Sequence, residues 1–145
     1  MHFCRAGLFG LYLAAFGASG HEVLPGPIPA ELVRVIDGDT VEVRAWIWLE
    51  LVVTTRVRLA GMDAPEMEGE CEAERDLARQ ARDYIAARVG EIVRLYEVRP
   101  GKYAGRVIAR VETAGGLDLA AALIEAGLGR PYEGGRREEW CGGAS

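Results

Sequence analysis

The sequence predicts an α+β fold that is mainly β, with five short strands and two helices. Five stretches are rich in apolar and β-branched residues that alternate with polar ones, which is typical of half-buried strands. Two other stretches repeat apolar residues at helical spacing and end at a glycine, which is typical of helices. At 145 residues, the chain is long enough for one domain and too short for two of typical size.

The strands and helices follow one another in the order three strands, helix, two strands, helix. The turn Asp37-Gly38-Asp39 separates the first two strands, and a turn near residues 49–51 separates the second from the third. The predicted strands cover residues 31–36, 40–48, 51–59, 92–98 and 106–111.

The first helix is predicted over residues 70–89, where apolar residues recur every four positions before Gly90. The second helix begins at Asp118 as its N-cap and stops at Gly127. Five such short strands are about the number that closes into a small barrel of the oligonucleotide-binding (OB) type. Alternation alone supports only an α+β domain, so the prediction of an OB-fold-like barrel with two packed helices also depends on the motifs described below.

The first 20 residues differ in character from the rest. Arg5 precedes an apolar run at residues 8–16, and small residues follow it, as in a secretory signal peptide. The alternative is a buried N-terminal helix, but the run shows no polar face at helical spacing. We therefore expect a secreted or periplasmic protein without a membrane anchor in its mature form. Its expected parts are a signal peptide at 1–20, a linker at 21–30 and a folded domain at 31–145.

Two cysteines remain once the predicted signal peptide, which carries Cys4, is removed. Cys71 lies near the start of the first predicted helix and Cys141 lies near the end of the chain. In an exported protein such a pair is a candidate disulfide, which we favour over two free thiols.

The net charge of the chain is not typical of a protein that binds long nucleic-acid duplexes. The net charge is −5, whereas such proteins usually carry a basic face. Lys102 is the only lysine, so the positive charge is almost all arginine. Arginine binds a phosphate through two parallel hydrogen bonds, which suits a site that acts on one phosphodiester.

Five charged residues at the edges of the predicted strands form a chemically coherent set. Each alone has a structural explanation, as part of a turn, an exposed strand face or a strand end. Together, Asp39 and Asp63 suit a hard cation such as Ca²⁺, and Glu66 suits the orientation of a water. Arg58 and Arg106 suit the oxygens of a phosphoryl group. This is the set that a metal-dependent phosphodiesterase needs.

Three segments resemble the successive motifs of the staphylococcal nuclease (thermonuclease) family. They are Ile36-Asp37-Gly38-Asp39-Thr40, Arg58-Leu59-Ala60-Gly61-Met62-Asp63-Ala64-Pro65-Glu66 and Lys102-Tyr103-Ala104-Gly105-Arg106. The resemblance covers roughly residues 32–132, and the ending of the chain is similar to that of short exported bacterial members. It implies a five-stranded barrel with packed helices that hydrolyses DNA and RNA with Ca²⁺.

The resemblance also implies a metal site. Asp39 and Asp63 would be carboxylate ligands, Ala64 would offer its backbone carbonyl, and Asp37 would lie just outside the ligands. The family commonly has threonine where Ala64 stands, a difference of little consequence if only the carbonyl binds.

The same resemblance implies how substrate is bound. Glu66 would be the general base or the acid that positions the water, and Arg58 and Arg106 would bind and polarise the phosphate. Lys102 and Tyr103 match residues that hold a neighbouring phosphate. One extra residue separates Tyr103 from Arg106, which leaves the placement of Arg106 for the structure to determine.

Two other functions are open. A barrel that binds single-stranded nucleic acid without cutting it would typically lose the acids and arginines that this chain keeps. A Ca²⁺-stabilised interaction domain would account for the carboxylates but not for the paired arginines. We expect a monomer with nucleic acid as its substrate. Trp46 and Trp48 share one strand face, and we favour their covering the barrel over their stacking on bases.

Overall fold

The computed structural model describes residues 22–142, so the predicted signal peptide lies outside the described residues. The strands are β1 (Ile28–Asp37), β2 (Thr40–Trp48), β3 (Leu51–Leu59), β4 (Met62–Asp63), β5 (Ile92–Pro100), β6 (Arg106–Thr113) and β7 (Arg130–Pro131). The helices are α1 (Glu72–Ala86) and α2 (Leu119–Glu125).

Five of the strands form a closed barrel in the order β1-β2-β3-β6-β5, with β5 returning to β1. The pair β3–β6 is parallel and the other barrel pairs are antiparallel. A parallel pair needs a long crossover connection, which α1 and β5 provide here. The predicted OB-fold-like barrel with two helices is therefore confirmed.

One hydrophobic core fills the barrel and extends beneath the helices. Alternate residues of the strands point inward, and Val41, Val43 and Val57 are fully buried. Helix α1 adds Ala81 and Ile85 to the same cluster. Burial of each such aliphatic side chain contributes about 1.5–3 kcal/mol, so the core fixes the strands whose ends carry the polar residues described below.

Several predicted boundaries differ from the structure by one or two residues, and two differ by three. Strand β1 begins at Ile28 because residues 28–31 pair with β5, so the last part of the predicted linker belongs to the barrel. The sequence prediction missed this part of the strand because Pro27 lies directly before it and Pro29 lies within it, and proline is usually confined to edge strands, bulges and the first residue of a strand. Helix α1 ends at Ala86 rather than at residue 89, and a turn leads from there to Gly90, whose φ is +70°.

The second helix agrees with its prediction. The Asp118 side chain accepts a hydrogen bond from the Ala121 N–H at 3.0 Å, as expected of an N-cap. Neither α1 nor α2 has the length and apolar character of a membrane-spanning helix.

The β2–β3 hairpin projects beyond the barrel. Trp48 is 73% exposed and Trp46 is 37% exposed at its tip. The expectation that this pair covers the barrel is therefore wrong for Trp48, because β1 pairs with β2 only as far as Ala45 and β6 pairs with β3 only from Arg56, which leaves the end of the hairpin outside the barrel.

Candidate active site

Asp39 and Arg58 meet at one end of the barrel because Asp39 directly precedes β2, which pairs there with the strand that carries Arg58. Thr40 lies opposite Arg58 in the β2–β3 ladder, and the Asp39 carbonyl accepts the Leu59 N–H at 2.8 Å. Arg58 Nη1 lies 2.8 Å from Asp39 Oδ2. The other carboxylate oxygen of Asp39 accepts the Thr40 hydroxyl at 2.7 Å. The ladder thus determines the position of this ion pair.

Asp63 joins the pair from the short strand β4. Arg58 Nη2 lies 3.4 Å from Asp63 Oδ1, so one guanidinium contacts both acids. We refer to Asp39, Arg58 and Asp63 as the barrel-end group.

Gly38 allows the β1–β2 turn to approach the segment after β4. A Cβ at Gly38 would lie 2.7 Å from the Ala81 Cβ and 3.2 Å from the Ala64 Cβ. Only glycine permits this approach without a shift of α1 or of Ala64, because real Cβ atoms do not pack at such distances.

The barrel-end group contains two acids and one arginine. Asp39 is 7% exposed and Asp63 is 4% exposed, and both contact the guanidinium of Arg58. Burial raises the pKa of Asp39 to about 6, against the opposing effect of the Arg58 charge, and the charge of Asp37 raises it further. Further positive charge at this point would favour the ionised acids.

Glu66 stands in the loop between β4 and α1, and a buried glutamate holds that loop. Glu74 Oε1 accepts the Glu66 N–H at 3.1 Å, and Glu74 Oε2 accepts the Glu70 N–H at 3.2 Å. Glu74 is only 7% exposed, although it lies in the first turn of α1. The Glu66 side chain itself points outward and is 60% exposed. The sequence prediction did not identify Glu74.

A cleft of about 650 Å³ opens over the barrel-end group. All the predicted catalytic, metal-binding and substrate-binding residues except Asp63 line this cleft, and Asp63 lies beneath it. The lining includes Asp39, Arg58, Ala64, Glu66, Lys102, Tyr103 and Arg106. Arg106 therefore lines the cleft despite the extra residue that separates it from Tyr103.

Arg106 has an unsatisfied polar atom. Among residues 22–142, its buried Nε has no hydrogen-bond partner. Its guanidinium carbon lies 5.5 Å from the centre of the Tyr103 ring, which is 62% exposed. A buried donor without a partner is costly, and an anionic ligand in the cleft would satisfy it.

A part of the cleft that the sequence prediction missed comes from residues 130–142, which we call the C-terminal segment. Arg137 Nε lies 3.1 Å from Asp63 Oδ1, and Arg137 Nη1 lies 2.6 Å from Glu66 Oε1. The Trp140 indole N–H donates to Asp63 Oδ2 at 3.2 Å. Strand β7 pairs Arg130 with Asp63, which brings the C-terminal segment back to β4.

The predicted disulfide is confirmed and fastens the C-terminal segment to the start of α1. Cys71 and Cys141 are bonded, with their Cα atoms 5.8 Å apart. Glu74 lies against the bridge, 3.3 Å from Cys141 Sγ. These three side chains have the spacing of a metal cluster, but bonded sulfurs offer no thiolate, so we do not regard them as a metal site.

A sequence model described as staphylococcal nuclease homologue matches residues 56–140 of this chain. The chain belongs to the staphylococcal nuclease family. Within the matched range lie Arg58, Asp63, Glu66, Arg106 and the newly found Arg137. Asp39 precedes the range, so its membership of the site depends on its contact with Arg58.

Two curated relatives agree with this membership. A protein of Escherichia coli named an uncharacterized endonuclease is 30% identical over 112 residues, which is 77% of this chain and 65% of the relative. A protein of the same name from Escherichia coli O157:H7 has the same identity and coverage. The matched region thus spans slightly less than two thirds of each relative's length.

The residues of this nuclease-family site fit a hard divalent cation. Asp39 and Asp63 are two buried acids that both contact Arg58, and Asp63 also contacts Arg137. The pKa of Asp39 is raised, mainly by burial, so a cation beside it would favour its ionised form. Oxygen donors of this kind suit Ca²⁺, which takes carboxylates, backbone carbonyls and waters. Asp39, Asp63 and the Ala64 carbonyl are the predicted ligands.

Proposed function

We propose that this chain is a Ca²⁺-dependent nuclease that hydrolyses phosphodiester bonds of DNA, RNA or both by attack of water on phosphorus. One observation carries the proposal. The buried acid Asp39, the exposed carboxylate of Glu66 and the two arginines Arg58 and Arg106 line a single open cleft, and the second buried acid, Asp63, contacts Arg58 beneath it. The names of the curated relatives, which call them endonucleases, support the same activity.

The arginines bind the scissile phosphate. In the part of the chain that the structure describes, no group accepts a hydrogen bond from Arg106 Nε, and Arg58 lies between the two acids at the floor of the cleft. Each guanidinium offers donors in a plane that matches phosphate oxygens, and both stabilise the charge that grows on those oxygens during the reaction. Lys102 and Tyr103, on the rim, hold the neighbouring phosphate.

Glu66 positions the attacking water and accepts its proton. Its carboxylate is exposed to the cleft, while its backbone N–H is held by the buried Glu74. The new P–O bond forms from the water oxygen, and the bond to the leaving sugar oxygen breaks. General-base catalysis by a positioned carboxylate typically raises the rate of such a step by about 10²–10⁴-fold.

Asp39, Asp63 and the Ala64 carbonyl would hold the cation. A bound Ca²⁺ would supply Lewis-acid stabilisation of the phosphate charge. The Cys71–Cys141 disulfide agrees with export to an oxidising compartment, so we propose a secreted or periplasmic enzyme.

The test uses purified protein with plasmid DNA and with RNA, across a panel of divalent ions. Cleavage is expected with Ca²⁺ and is expected to stop when a chelator is added. A protein that binds a labelled oligonucleotide but cuts neither substrate with any ion would favour a non-catalytic binding module instead.

A further inference from the structure

Arg137 occupies a position in the cleft that neither the motifs nor the proposed reaction assigns. Its guanidinium lies between Asp63 and Glu66, with Nε 3.1 Å from Asp63 Oδ1 and Nη1 2.6 Å from Glu66 Oε1. The planar fork of arginine can contact two carboxylates at once, which a point charge cannot do with the same geometry. Arg137 thus links a predicted metal ligand to the predicted base.

The oxygens of Asp63 are already engaged. Oδ1 lies within 3.4 Å of Arg58 Nη2 as well as near Arg137, and Oδ2 accepts the Trp140 N–H at 3.2 Å. A cation that binds Asp63 must therefore share or displace one of these contacts. Because the cation would bind Asp63 and not Glu66, Arg137 can give up its contact with Asp63 while it stays on Glu66.

Contacts at both ends hold the C-terminal segment in place, so Arg137 stays close to the two acids. At one end β7 pairs with β4, and the Tyr132 N–H donates to the Gly61 carbonyl at 3.0 Å. At the other end Cys141 is bonded to Cys71.

A contact within the segment shapes the loop between the two ends. The Arg130 guanidinium stacks on the Trp140 ring at 3.8 Å. The short tether gives Arg137 a high effective concentration at the two acids.

We propose, on the basis of the function above, that Arg137 is a positioning residue that acts as a tethered cation. It holds Glu66 beside Asp63 in the metal-free protein and competes with the divalent ion for Asp63. The Cys71–Cys141 disulfide maintains this competition, because it keeps the C-terminal segment in the cleft. Reduction of the disulfide therefore changes the affinity for the ion as well as the stability of the fold.

The experiment measures Ca²⁺ binding by calorimetry, without substrate. Four oxidised proteins are compared: the parent, Arg137→Gln, Arg137→Lys and Arg136→Gln. Arg136 is the matched control, because it is the adjacent, exposed arginine and its loss changes the net charge equally. We expect Arg137→Gln to bind Ca²⁺ about tenfold more tightly, which lies within the usual coupling between charges in contact. Arg136→Gln should stay within about twofold of the parent, and Arg137→Lys should fall between.

Reduction provides a second, independent arm. The parent and Arg137→Gln are reduced at a temperature where circular dichroism shows both to be folded. Reduction should tighten Ca²⁺ binding by the parent and leave binding by Arg137→Gln nearly unchanged. A purely structural role of the disulfide would change both proteins alike, and that result would overturn the tethering.

Thermal unfolding separates positioning from simple loss of structure. In chelator, Arg137→Gln should unfold at a lower temperature than Arg136→Gln, because a buried acid loses a positive neighbour. With excess Ca²⁺ the variant should gain more in unfolding temperature than the parent gains. A merely structural residue would lower stability in chelator without enlarging the gain from Ca²⁺.

The outcomes distinguish this proposal from the proposed function. If the parent binds Ca²⁺ and cuts nucleic acid while Arg137→Gln binds Ca²⁺ equally or more weakly, only the role of Arg137 is overturned. If neither protein binds Ca²⁺, the metal site and the role of Arg137 are both overturned. If Arg137→Gln binds Ca²⁺ and the parent does not, the competition is stronger than expected and the proposal is supported.

Discussion

The barrel-end group and the C-terminal segment form one cleft but are held there by different forces. Arg58 lies on β3 and Asp39 directly precedes β2, so the β2–β3 ladder and the buried core determine their positions. The C-terminal segment has only the two-residue strand β7 and is mostly exposed. It is held by one disulfide and a few side-chain contacts.

This difference separates what should be robust in the site from what should be adjustable. Strand pairing persists as long as the barrel is folded, so Asp39 and Arg58 keep their geometry in either redox state. Asp63 lies on β4, which pairs with β7, so its position depends on the C-terminal segment as well. The position of Arg137 depends on a covalent bond that reductants cleave. Variants in the two regions should therefore have effects of different kinds, and the following predictions test that division.

The largest effect is expected at Glu66, which lies where the two regions meet. Glu66→Gln keeps the shape of the side chain but removes the basic carboxylate, so kcat should fall by about 10²–10⁴-fold. Binding of a non-hydrolysable oligonucleotide should barely change, since the arginines hold the phosphate. Glu68→Gln, a neighbouring exposed glutamate, is the control and should cut at nearly the parental rate. A Glu66→Gln protein as active as the parent would show that another group is the base.

The second effect concerns the tether of the C-terminal segment. The bridge joins residues that are 70 positions apart in the chain. A closed loop of that length constrains the unfolded chain by about 4 kcal/mol, so the Cys71→Ser/Cys141→Ser variant should lose that much stability in urea unfolding. The barrel should still fold, because its core does not include the bridge. A loss below about 1 kcal/mol would mean that the segment holds its place without the disulfide.

The third effect belongs to the barrel-end group. Ca²⁺ at about 100 times its Kd should stabilise the parent by about 2.7 kcal/mol, and Asp39→Ala should abolish most of the resulting rise in Tm. Glu42→Gln is the control, because Glu42 lies on β2, just after the turn that carries Asp39, but pairs with Arg34 at 2.7 Å. An Asp39→Ala protein whose Tm responds to Ca²⁺ like that of the parent would locate the cation elsewhere.

Local sequence patterns predict the barrel well. The bounds of β2 and β3 agree with the alternation of apolar residues, and Asp118 caps α2 as its position suggests. The motifs also led to residues that the fold gathers around one cleft. This works because alternation and capping depend on neighbours in the sequence.

Contacts of the C-terminal segment could not be predicted in the same way. Arg137 lies 71 positions from Glu66, in a stretch whose glycines and arginines indicated only irregular structure. One signal was present: a bond between Cys71 and Cys141 brings the residues just before each cysteine together, and these include Glu66 and Arg137. The buried role of Glu74 was equally hidden, because an acid in the first turn of a helix is ordinarily solvated.

The smallest effect is expected at Glu74, which joins the two regions. It accepts backbone N–H groups of Glu66 and Glu70 and lies against the disulfide. In Glu74→Gln one acceptor oxygen becomes an NH₂ group that faces an N–H donor, so one buried hydrogen bond is lost. We expect a loss of about 1–3 kcal/mol in urea unfolding.

Glu72→Gln provides the matched control for Glu74→Gln. Glu72 lies in the same turn of α1, but it is exposed and forms surface ion pairs with Arg75 and Arg79. Such pairs contribute about 0–1 kcal/mol, so this variant should unfold much like the parent. If the two variants lose equal stability, Glu74 does not hold the loop through its carboxylate. If Glu74→Gln alone is destabilised and also cuts more slowly, the loop that carries Glu66 depends on α1 as well as on the C-terminal segment.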